Sequence, residues 1–90
     1  MRGGAQLDLL CQLVATRPGV ELWLFGSALT SPAPADLDVL LLYQELVDIQ
    51  AIRSAHPWDD ESPPIHIIAM TRQEESEYGF IRGTRARRMV

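Results

Sequence analysis

The chain has no lysine, a single cysteine and no long apolar run, and each of these lacks removes a class of protein. Cys11 stands alone, so no disulfide closes within the chain and no cysteine-based metal cluster is available. No apolar stretch approaches the roughly 20 residues that cross a bilayer as a helix. The charged-then-apolar layout of a secretory leader is missing as well, because Asp8, Gln12 and Arg17 interrupt the first segment. A reducing cytoplasm is the compartment these features lead one to expect, with no membrane partner. With lysine missing, every cation apart from the histidines is a guanidinium, for which coding bias is a simpler account than a selected preference for phosphate.

What is present supports one folded unit. The hydrophobic content of 47% is that of a globule rather than a disordered chain. The 90 residues suffice for a single domain over 1–90, burying roughly 60–65% of the surface its unfolded form exposes. The net charge of −4 is unevenly spread. Residues 82–90 form an arginine-rich tail holding Arg82, Arg85, Arg87 and Arg88, while nearly all acids lie upstream. No aromatic residues interleave these arginines, so stacking on bases is not suggested, and nucleic acid is not an expected partner. A solvated helix end is the simpler reading of the tail, since cations there complement the helix dipole.

Periodicity divides the chain into alternating elements. Leu7, Leu10, Cys11 and Val14 line one face of a helix over 5–16, which Pro18-Gly19 terminates. Cys11 in that stripe reads as a core thiol. Val20 to Phe25 has the length and aromatic content of a strand, and 28–31 fits one helical turn before Pro32 and Pro34 prevent its continuation. A second strand is expected over 36–43. A short helix over 45–55 follows, with Leu46, Ile49 and Ile52 at helical spacing. His56 to Pro64 reads as a polar loop whose consecutive acids Asp59-Asp60-Glu61 diverge and make a poor metal cage. Trp58 there is expected to fold back on the core, and His56 is given no role. Ile65 to Met70 is the third strand, and Thr71 with Glu74 forms a capping box for a last helix. Glu74, Glu75 and Glu77 suit the positive end of that helix. The alternation is α+β or α/β, with a small mixed sheet of about three strands flanked by helices.

Asp36-Leu37-Asp38 carries the chemistry. Residues i and i+2 of a strand share a sheet face, so both carboxylates point at one spot. Like charges held together require a cation, a proton or a donor to compensate them, and a divalent metal is the natural choice. Gly26-Ser27, after the preceding strand, is a small pair suited to close approach by phosphate. Taken alone, Gly26-Ser27 reads first as a tight turn with a capping serine; for the aspartates a solvated start of a strand is the lesser reading, since such an entry does not require two acids on one face.

Phe25-Gly26-Ser27, eight residues of spacer and then Asp36-Leu37-Asp38-Val39-Leu40-Leu41-Leu42-Tyr43 resembles the signature of the nucleotidyltransferase superfamily. That group includes DNA polymerase beta and, nearer in size, the bacterial minimal nucleotidyltransferases. Ile67 to Glu75, with Phe80-Ile81 beyond it, also resembles short members, so the likeness spans roughly residues 5–81. The resemblance implies that Gly26 and Ser27 bind the triphosphate of a nucleotide. It implies that Asp36 and Asp38 hold divalent metal, Mg2+ or Mn2+, and that a nucleoside monophosphate is transferred with loss of pyrophosphate. It further implies a helical partner protein or a homodimer, as in toxin–antitoxin pairs. The family's third carboxylate lies on a neighbouring strand, and here that position is His66. Alternation puts His66, Ile68 and Met70 on one face and Ile65, Ile67 and Ala69 on the other. His66 then acts as ligand or general base, or hydrogen-bonds an aspartate and holds it, or marks a decayed site. The last reading makes the chain a catalytically degenerate, antitoxin-like interaction module.

Overall fold

Strand β2, Leu37–Tyr43, is the centre of the architecture because nearly all of it is apolar and buried on both faces. The computed structural model describes residues 4–60 and 63–90, so Glu61 of the acidic loop lies outside the described residues. Helix α1 (Gly4–Ala15) leads into β1 (Glu21–Phe25), and a 3₁₀ turn over Gly26–Leu29 precedes β2. Helix α2 (Leu46–Ser54) and a second 3₁₀ turn (Trp58–Asp60) lead to β3 (Ile65–Thr71). Helices α3 (Arg72–Tyr78) and α4 (Phe80–Thr84) follow, and Arg87–Arg88 form β4. The sheet order is β3-β2-β1-β4. Strand β1 is antiparallel to β2 and to β4, whereas β3 runs parallel to β2. This is a mixed sheet in an α+β arrangement, with four strands where the sequence suggested about three.

The fourth strand corrects the reading of the arginine tail. Arg87 and Arg88 pair with Leu24 and Trp23 rather than ending a solvated helix. Leu22 continues the pairing, since its carbonyl accepts from the amides of Met89 and Val90 at 2.8 and 3.3 Å. Arg82 alone of the four lies within the last helix, and all four arginines are exposed.

Alternation along β2 sends Leu37, Val39 and Leu41 to one face and Asp38, Leu40 and Leu42 to the other. The first set packs with Leu10 and Val14 of α1, Ile49 and Ile52 of α2, and with Leu22 and Ile65. Burial of each such side chain contributes about 1.5–3 kcal/mol. On the other face Leu40, Leu42 and Met70 pack against Trp23, Phe25, Phe80 and Ile81. Phe25 and Phe80 meet edge to face, with ring centroids 4.9 Å apart. Helices α3 and α4 cover the second face, with Phe80 reaching Phe25 beside Asp38, whose own side chain stays 29% exposed.

Local chemistry explains the boundaries. The Thr71 hydroxyl accepts from the Glu74 amide at 3.1 Å, while the Glu74 carboxylate accepts from the Thr71 amide at 2.8 Å. That is the reciprocal capping box read from the sequence. Gly79, in the left-handed region at φ 64°, ends α3 and opens α4. Trp58 is buried, as expected, and its indole N–H donates to the Ile52 carbonyl at 2.9 Å. Cys11 packs against the core, and burial followed by the charge of Asp8 pushes its thiol above the ordinary value. Leu46 departs from its expected place and is 56% exposed. Steps of three residues drift about 60° around a helix, so Leu46 lies off the stripe that Ile49 and Ile52 define. Among the described residues no helix is long and apolar enough to cross a membrane.

Candidate functional site at the open end of the sheet

Strand register assembles the site. Asp38 pairs with Phe25 on one side and with His66 on the other. The C-terminal end of β1 and the N-terminal ends of β2 and β3 therefore meet at one edge. Asp36 sits just ahead of β2 rather than within it, since the strand begins at Leu37. His66 Nδ1 nevertheless lies 3.8 Å from Asp36 Oδ2 and 3.7 Å from Asp38 Oδ1, so both carboxylates converge on the imidazole. These separations exceed a hydrogen bond. His66 stands beside both carboxylates but does not hold either aspartate by a direct hydrogen bond. The reading in which it merely fixes an aspartate that way is not met.

Gly26 lies against the Asp38 carboxylate. Its φ is 78°, and a Cβ built there would stand 2.6 Å from Asp38 Oδ2. Only glycine both accepts that backbone conformation and leaves room for the carboxylate. Ser27 is exposed beside it. The turn Gly26–Leu29 has no side-chain cap, so Ser27 is not the capping serine of the simpler reading. Its carbonyl accepts from the amides of Thr30 and Ser31 at 3.1 and 2.8 Å, which closes the turn and leaves the side chain outward.

Asp36, Asp38 and His66 have side chains exposed by 38, 29 and 52%. Groups this accessible can meet a ligand without rearrangement of the core. Among the described residues no cluster of three or more His, Cys, Asp or Glu forms a metal cage by itself. Magnesium commonly takes one or two carboxylates together with the phosphates of its substrate, so a two-carboxylate site fits an ion that arrives with a polyphosphate. The hard oxygen donors of Asp36 and Asp38, next to a backbone that a Cβ would obstruct, suit that arrangement.

Two features escaped the sequence. One is a cavity of about 440 Å3 on the outer edge of β3, whose wall includes His66, Arg53, His56 and Asp59. The other is the clamp at Glu21. Its carboxylate accepts hydrogen bonds from Arg72 and from the Trp23 indole, with Arg88 3.9 Å away. Burial pushes this carboxyl up, but the bonds from Arg72 and Trp23 and the charges of Arg72 and Arg88 outweigh it and leave the group below its ordinary value. The clamp joins β1, α3 and β4. Only its charge signs are visible in sequence; the pairing that unites them is not. His56, given no role from sequence, packs its ring 4.7 Å from that of Trp58 in the cavity wall.

Compared with known families, curated proteins and solved structures, the chain matches no family model, no curated protein and no solved structure.

Proposed function

We propose that the chain is a minimal nucleotidyltransferase-type domain. In this reading it binds a nucleoside triphosphate with a divalent cation and transfers the nucleoside monophosphate to a hydroxyl-bearing acceptor. The observation that carries the proposal is Asp38 flanked on one neighbouring strand by the Gly26 bend and on the other by His66. The mixed sheet supports it at the level of architecture. Gly26 and Ser27 receive the phosphates, the glycine by admitting close approach and the serine by its hydroxyl. Asp36 and Asp38 hold Mg2+ or Mn2+, which when bound supplies neutralisation of phosphate charge. The acceptor oxygen bonds to the α-phosphorus, the bond to the oxygen bridging the β-phosphate breaks, and pyrophosphate leaves. His66, beside both carboxylates, takes the proton of the acceptor hydroxyl. The helical partner or second copy implied by the resemblance remains part of this proposal.

A second reading rests on His66 itself. Imidazole stands where the resemblance calls for a carboxylate, and it is a poor magnesium ligand. On that reading the domain binds nucleotide, or only a partner protein as an antitoxin-like module, without turnover.

Calorimetric titration with ATP in Mg2+ and in Mn2+, followed by assay of pyrophosphate release, separates the two. The enzyme reading expects metal-dependent binding and release that Asp38→Ala abolishes. Binding without release favours the second reading. Binding indifferent to metal and to Asp38→Ala overturns the proposed site.

A further inference from the structure

Strand β3 lies at one margin of the sheet, with β2 on one side and, among the described residues, no strand on the other. The Pro64 carbonyl accepts from the Leu37 amide at 2.9 Å, so alternation turns the backbone groups of His66, Ile68 and Met70 to β2. Those of Ile65, Ile67, Ala69 and Thr71 point outward. Two bonds agree: Arg53 Nη2 donates to the Ile67 carbonyl at 3.3 Å, and the Glu74 carboxylate accepts from the Thr71 amide at 2.8 Å. An outward row of amides and carbonyls is a template for another strand unless charge, proline, a bulge or a covering element blunts it. From Ile65 to Thr71 there is no acid, no Lys or Arg, no Pro and no Gly. The cavity of about 440 Å3 bordered by His66 and Ile67 leaves room beside the strand for an incoming chain.

The free row is symmetric about its own middle. Pro63 and Pro64 lack an N–H and close it at one end, while the capping box takes the Thr71 amide and closes the other. Left between are Ile65, Ile67 and Ala69, evenly spaced about Ile67. An antiparallel copy of the same strand, with a dyad through Ile67, answers each of these groups: Ile67 exchanges bonds with Ile67, and Ile65 with Ala69. Side chains favour the same register. It sets His66 opposite Ile68 of the second copy in a pair without hydrogen bonds, where side chains approach most closely. Ile68 is 41% exposed in the single chain and is covered by that step. The bond from Arg53 is long and exposed, and it yields to the amide that replaces it. Asp59 and Asp60 share the cavity wall with Arg53 at the level of Ile67, so the dyad sets each freed guanidinium against the aspartates of the other copy.

We propose that β3 pairs antiparallel with β3 of a second copy about a dyad at Ile67, which joins two sheets into one and places Ile68 of each copy against His66 of the other. The pairing itself does not rest on the transferase reading. Its consequence does: with that reading, the second copy supplies an apolar wall to the site at His66, and each site is complete only in the dimer.

Sedimentation equilibrium of the full chain without nucleotide, from about 1 μM to about 1 mM, suits a seam this short. The mass is expected to rise from 10.1 kDa toward twice that value across the range. Ile68→Lys puts a charge into the seam from an exposed position. Ala69→Pro removes an outward N–H that pairing with β2 does not use. Each should raise the dissociation constant about a hundredfold, because both copies carry the change. If circular dichroism shows Ala69→Pro unfolded, Ile68→Lys decides alone. Ile67→Cys in a Cys11→Ser background should link to its copy on mild oxidation, since the paired Cα atoms stand about 5.5 Å apart. A chain monomeric at about 1 mM, a dimer that Ile68→Lys leaves unchanged, or Ile67→Cys that stays unlinked overturns the proposal. ATP binding is measured on the same samples. Nucleotide bound by a monomeric chain defeats the pairing and leaves the transferase reading standing. A β3-paired dimer that binds no ATP sustains the pairing and defeats that reading.

Discussion

Replacing Gly26 by alanine perturbs the fold and the site by separable amounts. The added Cβ would lie 2.6 Å from Asp38 Oδ2, and relief to even 3.0 Å requires the carboxylate to move by 0.4 Å. Holding alanine at φ 78° costs about 1–2 kcal/mol. Turning Asp38 off its rotamer adds about 0.5–1.5 kcal/mol. Gly79→Ala is the control, since its φ is 64° and nothing lies within 4 Å of its Cβ. It bears the backbone cost alone. Urea unfolding should therefore show Gly79→Ala destabilised by about 1–2 kcal/mol and Gly26→Ala by about 1.5–3.5 kcal/mol. Calorimetry with ATP and Mn2+ should show affinity kept in Gly79→Ala and reduced about a hundredfold in Gly26→Ala, the scale on which misplacement of a site by about 1 Å acts. A folded Gly26→Ala protein with unreduced affinity refutes the claim that this glycine and Asp38 share one ligand.

Glu21→Gln tests the clamp. Because the folded carboxyl lies below its unfolded value of about 4.3, its contribution is present above that pH and lost as pH falls through the lower folded value. Screening at the exposed Arg72 limits the loss at neutral pH to about 1 kcal/mol. Unfolding midpoints of Glu21→Gln and the parent should converge on acidification; a constant gap denies the clamp its charge. Thr71→Ala removes one half of the capping box and should cost about 1 kcal/mol, read as a lowered urea midpoint with unchanged slope. His66→Asp places a third carboxylate beside Asp36 and Asp38. It should raise pyrophosphate release in Mg2+ relative to Mn2+, and an unchanged metal preference would remove His66 from the site.

Local signals were the legible ones. Thr71 and Glu74 formed the box their spacing announced, and the apolar run of β2 gave its strand, because both depend on residues close in sequence. The meeting of Gly26, Asp38 and His66 depends instead on register. Parallel pairing of β2 with β3 across the α2 crossover is set by packing on Ile49 and Ile52, which no turn motif encodes. Alternation put His66 on the face of the aspartates, but only the register put it at their level. Strand β4 was hidden because Arg87–Arg88 has no apolar pattern; its order comes from the unpaired edge of β1 and the carbonyl of Leu22. The cavity was hidden for the same reason, being made from α2, a 3₁₀ turn and β3.

Crystals grown with Mn2+ and a non-hydrolysable ATP analogue locate the ion through its anomalous signal. One manganese peak is expected, bonded to carboxylate oxygens of Asp36 and Asp38, with phosphate oxygens against Gly26 and Ser27. A saturated crystal whose manganese and nucleotide lie elsewhere, with those two carboxylates unliganded, contradicts it.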